Sequence, residues 1–135
     1  MNAKGMAALL MALLLTGCAI GTTSSIRLRG NVDPAQISLS KRTPAAIEAS
    51  VENIGNSTQT VTVDVVDTEG LSIEKPERTT FTLKPGEARV ATFTGILEET
   101  AVPGNYVIEI VVDTEKGERI KERVTLKVVA EKGLI

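Results

Sequence analysis

The sequence predicts an all-β domain, an Ig-like antiparallel β-sandwich of seven to eight strands, behind an N-terminal signal or anchor segment. Three observations carry this expectation. Beyond residue 31, apolar and polar residues alternate with period two in successive runs, the pattern of strands that bury one face. Turn residues break these runs about every 8 to 12 residues, the spacing of a sandwich of short strands. No long segment after Cys18 keeps a 3.6-residue period, so helix content outside the leader is expected to be near zero.

The leader has its own composition. Lys4 is the only charge before Arg27, and residues 6–15 form an unbroken apolar run. A short positive start followed by such a run matches a secretory signal. It is shorter than the roughly 20 apolar residues that a bilayer-spanning helix takes. Leu15-Thr16-Gly17-Cys18 follows, and then a polar stretch at residues 21–25. The chain's one cysteine therefore stands where an export signal would be cut. These four residues resemble the lipobox of bacterial and some archaeal lipoproteins. The resemblance implies lipidation of the Cys18 thiol and cleavage ahead of it, which leaves 118 residues with a side-chain charge of −3. Two or three acyl chains hold a protein stably, because each buried methylene contributes about 0.8 kcal/mol. An anionic domain has no electrostatic attraction to acidic lipids, so the membrane partner would be held through Cys18. Two other readings of the leader remain open. Cys18 is an ordinary small apolar residue if the segment is an uncleaved anchor helix. Asn2-Ala3-Lys4-Gly5 is similar to a prepilin-type signal cut ahead of a retained helix, although Thr16-Gly17 interrupts that helix.

The expected organisation is a signal peptide at 1–17, a lipidated N-terminus and linker at 18–31, a sandwich at 32–130 and a tail at 131–135. Residues 26–29 are a candidate first strand inside the linker, and 36–40 a short one. Ala45–Asn53 sets Ala45, Ile47, Ala49 and Val51 against Glu48, Ser50 and Glu52. Residues 58–67 set Val61, Val63 and Val65 against Thr60, Thr62 and Asp64. Leu71–Glu74 and Thr80–Leu83 follow, separated by Pro76. Residues 88–94 are apolar on both faces, which leaves their register open. Residues 106–113 point Tyr106, Ile108, Ile110 and Val112 inward, and Arg119–Val129 closes with Val124, Leu126 and Val128. Asn53-Ile54-Gly55-Asn56, Lys84-Pro85-Gly86-Glu87, Pro103-Gly104-Asn105 and Glu115-Lys116-Gly117-Glu118 carry turn chemistry. With aromatics at 2%, the core must be built mainly from Val, Ile and Leu.

Three motifs occur in order: Val51-Glu52-Asn53-Ile54-Gly55-Asn56, Leu83-Lys84-Pro85-Gly86-Glu87 and Pro103-Gly104-Asn105-Tyr106. They resemble the punctuation of Ig-like surface domains, the CARDB and NEW3-type domains of prokaryotic envelope proteins, over roughly residues 36–129. The resemblance implies that Tyr106 is a tyrosine-corner residue whose hydroxyl bonds nearby backbone. The cysteine pair and core tryptophan of antibody domains are absent from this sequence.

Composition narrows function by subtraction. Hydrophobic residues at 42% and charged residues at 24% describe a folding chain rather than a disordered one. A net charge of −2 argues against a nucleic-acid partner held by a broad basic surface. The absence of histidine excludes His-based triads, bases and metal ligands, and one cysteine excludes an intrachain disulfide or a Cys-only zinc cluster. The expectation is therefore no enzyme and no cofactor. Two acidic segments echo each other, Val65-Val66-Asp67-Thr68-Glu69-Gly70 and Val111-Val112-Asp113-Thr114-Glu115-Lys116-Gly117. Asp67, Glu69, Asp113 and Glu115, with Asp64, offer the oxygen ligands calcium takes. The two loops are expected at opposite ends of a sandwich, and solvated hairpin turns are the plainer reading. Glu98, Glu99 and Glu118 raise a carboxylate-based hydrolase as an alternative, with nothing to fix a facing pair. Arg119, Lys121, Arg123 and Lys127 on the last strand read as a charged edge that blocks aggregation rather than as a binding stripe. Asn56-Ser57-Thr58 is an N-glycosylation sequon on a loop.

The functional expectation is a membrane-anchored envelope lipoprotein, exported and facing the extracytoplasmic side. It would serve as a non-catalytic interaction or spacer module with an envelope protein as its partner. The main alternative is an envelope appendage or S-layer-associated subunit with a retained N-terminal transmembrane helix.

Overall fold

Alternation along each strand draws one row of side chains inward, and two sheets close over the rows. The computed structural model describes residues 24–130, and these hold nine strands and no helix. They are β1 (Ile26–Asp33), β2 (Gln36–Ser38), β3 (Ala45–Asn53), β4 (Gln59–Val65), β5 (Leu71–Glu74), β6 (Thr80–Leu83), β7 (Ala88–Leu97), β8 (Gly104–Thr114) and β9 (Arg119–Val129). One sheet has the order β1-β3-β7-β5 and the other β2-β9-β8-β4-β6. All pairings are antiparallel except β2 with β9. The first sheet and the β9-β8-β4 trio correspond to the two sheets of an Ig-like sandwich, extended by β2 and β6. After β4 the chain visits the first sheet as β5 and then returns beside β4 as β6.

The expected inward rows are the observed core. Ile47, Ala49 and Val51 of β3, Val61, Val63 and Val65 of β4, and Ile108, Ile110 and Val112 of β8 are all buried. Phe93 is the one buried aromatic, and Phe81 and Tyr106 pack at the margin. Burying each large aliphatic side chain contributes roughly 1.5–3 kcal/mol, so aliphatic volume supplies what aromatics do not. The open register of residues 88–94 resolves in favour of Ala91 and Phe93, leaving Val90 57% exposed, and the strand continues to Leu97.

Two expectations are corrected. There are nine strands rather than seven to eight, and the sandwich begins at Ile26 rather than residue 32. Residues 26–33 are a full strand paired along all of β3, from Ile26 opposite Asn53 to Asp33 opposite Ala46. Its inward positions are Ile26, Leu28, Gly30 and Val32, and Arg27 and Arg29 face solvent. Gly30 interrupts the apolar row in the sequence but has a reason in three dimensions. A Cβ there would stand 2.8 Å from Ile110 Cδ1 and 2.9 Å from Val124 Cγ1, so β1 approaches the second sheet closely only as glycine.

The pairings define two ends. The N-terminal end holds the start of β1 and the connections at 54–58, 84–87 and 115–118. The far end holds the connections at 39–44, 66–70 and 98–103, together with the end of β9.

Candidate functional site

Cys18 lies outside the described residues. What the structure does give is where the segment after it joins the fold. The Ser25 carbonyl accepts the Ile54 N–H at 2.9 Å, and the buried Gln59 amide donates to Ser25 Oγ. The chain is thus fastened to the loop after β3 before β1 begins. Asn56, the sequon asparagine, is exposed on that same loop.

Asn53 organises this end. Its side chain is fully buried, and Nδ2 donates to the Ser57 carbonyl at 2.8 Å and the Leu83 carbonyl at 2.9 Å. Oδ1 accepts the Gly55 N–H at 2.9 Å. Its backbone binds the neighbouring turn, donating to the Glu87 carbonyl at 3.0 Å and accepting from Gly86 at 2.8 Å. The Glu87 carboxylate accepts the Lys84 N–H at 2.9 Å and a bond from Arg89 at 3.2 Å, which together hold it below the usual carboxylate range. The asparagine motif and the Pro-Gly-Glu motif are therefore two halves of one joint. Their spacing marked turns in the sequence, but not that one amide closes both.

The calcium candidates do not converge. Asp67 and Glu69 lie in the far-end connection, and Glu115 lies at the N-terminal end. Asp64 forms an ion pair with Lys75 at 3.1 Å. Asp113 accepts two bonds from Arg119, at 2.7 and 3.1 Å, which lower its pKa and raise that of Arg119. Among the described residues no group of three His, Cys, Asp or Glu side chains is placed to hold a metal. Glu98 and Glu99 stand at the far end and Glu118 at the other, so Glu118 faces neither.

The basic row of β9 is an edge over part of its length only. Lys127 lies where β2 pairs with β9, whereas Arg119, Lys121 and Arg123 lie where no strand of the sheet pairs with its outer side. Arg119 pairs with Asp113, and Lys121 reaches Glu109 at 3.7 Å, so two of the four cations are matched by carboxylates on β8.

The far end carries a feature not singled out in the sequence. A mostly apolar open hollow of about 490 Å³ is bounded by Gly70, Val102, Pro103, Tyr106 and Val107, with Glu69 at its rim. Tyr106 shapes it as the expected tyrosine corner: its hydroxyl donates to the Val102 carbonyl at 2.6 Å and accepts the Val102 N–H at 3.0 Å. Gly70 lies against the ring at φ +87°, where a Cβ would stand 2.9 Å from Tyr106 Cε2. This holds the Val102 loop against β8 with Val102 63% and Val107 51% exposed. The signal was present in the alternation. If Tyr106 and Ile108 point inward, Val107 must point out.

No protein-family model matches the chain, and no curated protein sequence matches it. Solved structures match by shape. The FixG-related protein from Vibrio parahaemolyticus superposes with a TM-score of 0.60 at 14% identity, over 82% of this chain and 100% of that one. The cupredoxin domain of amoB from Nitrosocaldus yellowstonii gives 0.58 at 8% identity, over 84% and 92%. Spo0M, a sporulation control protein from Bacillus subtilis, gives 0.62 at 15% identity, over 81% and 51%. The protein is thus an all-β sandwich of the Ig-like and cupredoxin-like kind. The likeness is one of fold. Blue-copper sites take two histidines and a cysteine, and this chain has no histidine.

Proposed function

We propose that the protein is an exported lipoprotein, anchored through a lipid on Cys18, whose sandwich is a non-catalytic interaction or spacer module of the cell envelope. Leu15-Thr16-Gly17-Cys18 supports the lipobox reading, and the motif order supports a CARDB-like module. The observation that carries the proposal is the polarity of the domain. Ser25 is fastened at one end of the sandwich, and the far-end loops stand at the other. Five residues lie between Cys18 and Ser24, so the two are at most about 22 Å apart. A lipid at Cys18 therefore keeps the N-terminal end beside the bilayer and presents the far end outward, along the length of the strands. Asn56 would sit on the membrane-facing side, accessible to glycosylation in an organism that modifies exported sequons.

The test is Cys18→Ser with a labelled lipid precursor and membrane fractionation. The wild-type chain should take up label and sediment with membranes, and the variant should be unlabelled and released. Membrane retention of both forms without label would overturn the lipid anchor in favour of a retained helix.

A further inference from the structure

We infer that the far-end hollow is a docking site for a protein segment that presents an apolar side chain flanked by lysine or arginine. The inference rests on the tethered reading, because a lipid at Cys18 puts this surface on the outward side.

Two properties of the hollow select the occupant. Its floor is apolar. Val102 is 63% and Val107 51% exposed, and both line it beside Pro103 and Tyr106. Its shape is fixed by the tyrosine corner and the close packing of Gly70 on the ring, so little ordering is left to occur on binding. A volume of about 490 Å³ is enough for one or two large side chains.

The rim sets the charge. Asp67, Glu69, Glu98 and Glu99 lie on the two connections that flank the hollow, and none of them is in an ion pair among the described residues. Glu69 lines the hollow itself, and Asp67, Glu69 and Glu98 line the adjoining depression over Leu71 and Ile73. Arg42 reaches this end, but its guanidinium donates to the Glu98 carbonyl at 2.8 Å and forms no ion pair with a carboxylate among the described residues. Lys127, on β9, pairs directly with Asn105, which lines the hollow, and is in no ion pair among the described residues. Asp64, Asp113, Glu109 and Glu52 each have a basic partner, whereas the far-end acids, like Glu48 and Glu74 on the other sheet, have none among the described residues. An apolar floor beside unneutralised carboxylates attracts a basic segment and penalises an acidic one.

The experiment uses the full chain and a labelled hexapeptide of two central leucines flanked by lysine pairs, read by fluorescence anisotropy at low salt. Two control peptides replace the leucines with serine or the lysines with glutamate. The leucine–lysine peptide should bind at least ten-fold more tightly than either control. Val107→Glu and Glu69→Lys should each weaken it at least ten-fold while keeping the thermal unfolding midpoint of the parent. Equal binding of all three peptides, or binding indifferent to both substitutions, overturns the inference. So does concentration-dependent self-association abolished by Val107→Glu, which would make a second copy the occupant. These outcomes are independent of Cys18 lipidation: loss of peptide binding with labelling intact removes the docking site and leaves the anchor standing.

Discussion

Asn53→Ala removes the amide that joins two turns of the N-terminal end. The side chain makes three hydrogen bonds, to the Ser57 and Leu83 carbonyls and from the Gly55 N–H. Each contributes about 1 kcal/mol net, and the bond to the buried Leu83 carbonyl belongs at the upper end because its acceptor is left unpaired. The expected loss is about 3–4 kcal/mol, a large share of the roughly 5–15 kcal/mol that holds a domain folded. In urea, at an m-value of about 1.5 kcal/mol/M, the midpoint should fall by about 2 M with the slope unchanged. Asn53→Asp discriminates the cause. At neutral pH a carboxylate keeps the acceptor for Gly55 but sets an anionic oxygen against two carbonyls, so it should be worse than alanine. Equilibrium unfolding followed by circular dichroism reads both. An alanine variant within about 1 kcal/mol of wild type, or an aspartate variant more stable than alanine, refutes the account of Asn53 as a two-way donor.

Tyr106→Phe deletes the hydroxyl that both donates to and accepts from Val102, and should cost about 1–2 kcal/mol in urea unfolding. Gly70→Ala should cost a similar amount through its positive φ and its contact with the ring, about 1–2 kcal/mol. Gly30→Val should destabilise by about 1–3 kcal/mol, because its extra methyls have no space between β1 and the Ile110–Val124 pair. Gly30→Ala should cost less, since its single methyl displaces the Ile110 and Val124 methyls without adding valine's two further methyls; equal unfolding midpoints for valine and wild type would show that the sheets are not close-packed there. Glu87 and Asp113 are both held below their ordinary values, so their stabilisation is present above the ordinary carboxylate range and is lost as pH falls through the lowered folded values. Stability should therefore decline below about pH 4, and Arg119→Gln should make the decline shallower. Urea midpoints across that range decide, and an unchanged slope in the variant counts against the Asp113–Arg119 contribution.

Much of this fold is legible without coordinates because alternation is a local signal. Val61, Val63 and Val65 cannot be buried on one face without exposing Thr60, Thr62 and Asp64, and the strand order does not alter that. The turns were legible for the same reason; the tyrosine corner was implied by the resemblance of the Pro103-Gly104-Asn105-Tyr106 motif, and its hydroxyl does bond the Val102 backbone four residues away. Residues 26–29 read as a candidate strand, but its run on to Asp33 and its place in the sandwich were not legible, because Gly30 erases the apolar row at the place where the sheets come closest. The strand 88–94 was undecided because Val90 and Ala91 are equally apolar, and only Phe93 opposite Ile47 in β3 fixes which face turns inward.

The sequence by itself determined the all-β class, the inward rows, the turn chemistry, and the presence of one cysteine just after an apolar run. Tertiary structure decided what depends on distant residues meeting. It separated the two acidic segments to opposite ends, paired Asp113 with Arg119 and Asp64 with Lys75, closed two turns on the amide of Asn53, and assembled Val102, Val107 and Gly70 into one hollow. The reason is range. Period and turn propensity act over a few residues, whereas a site is made by strand order and register, which bring together residues that the chain keeps far apart.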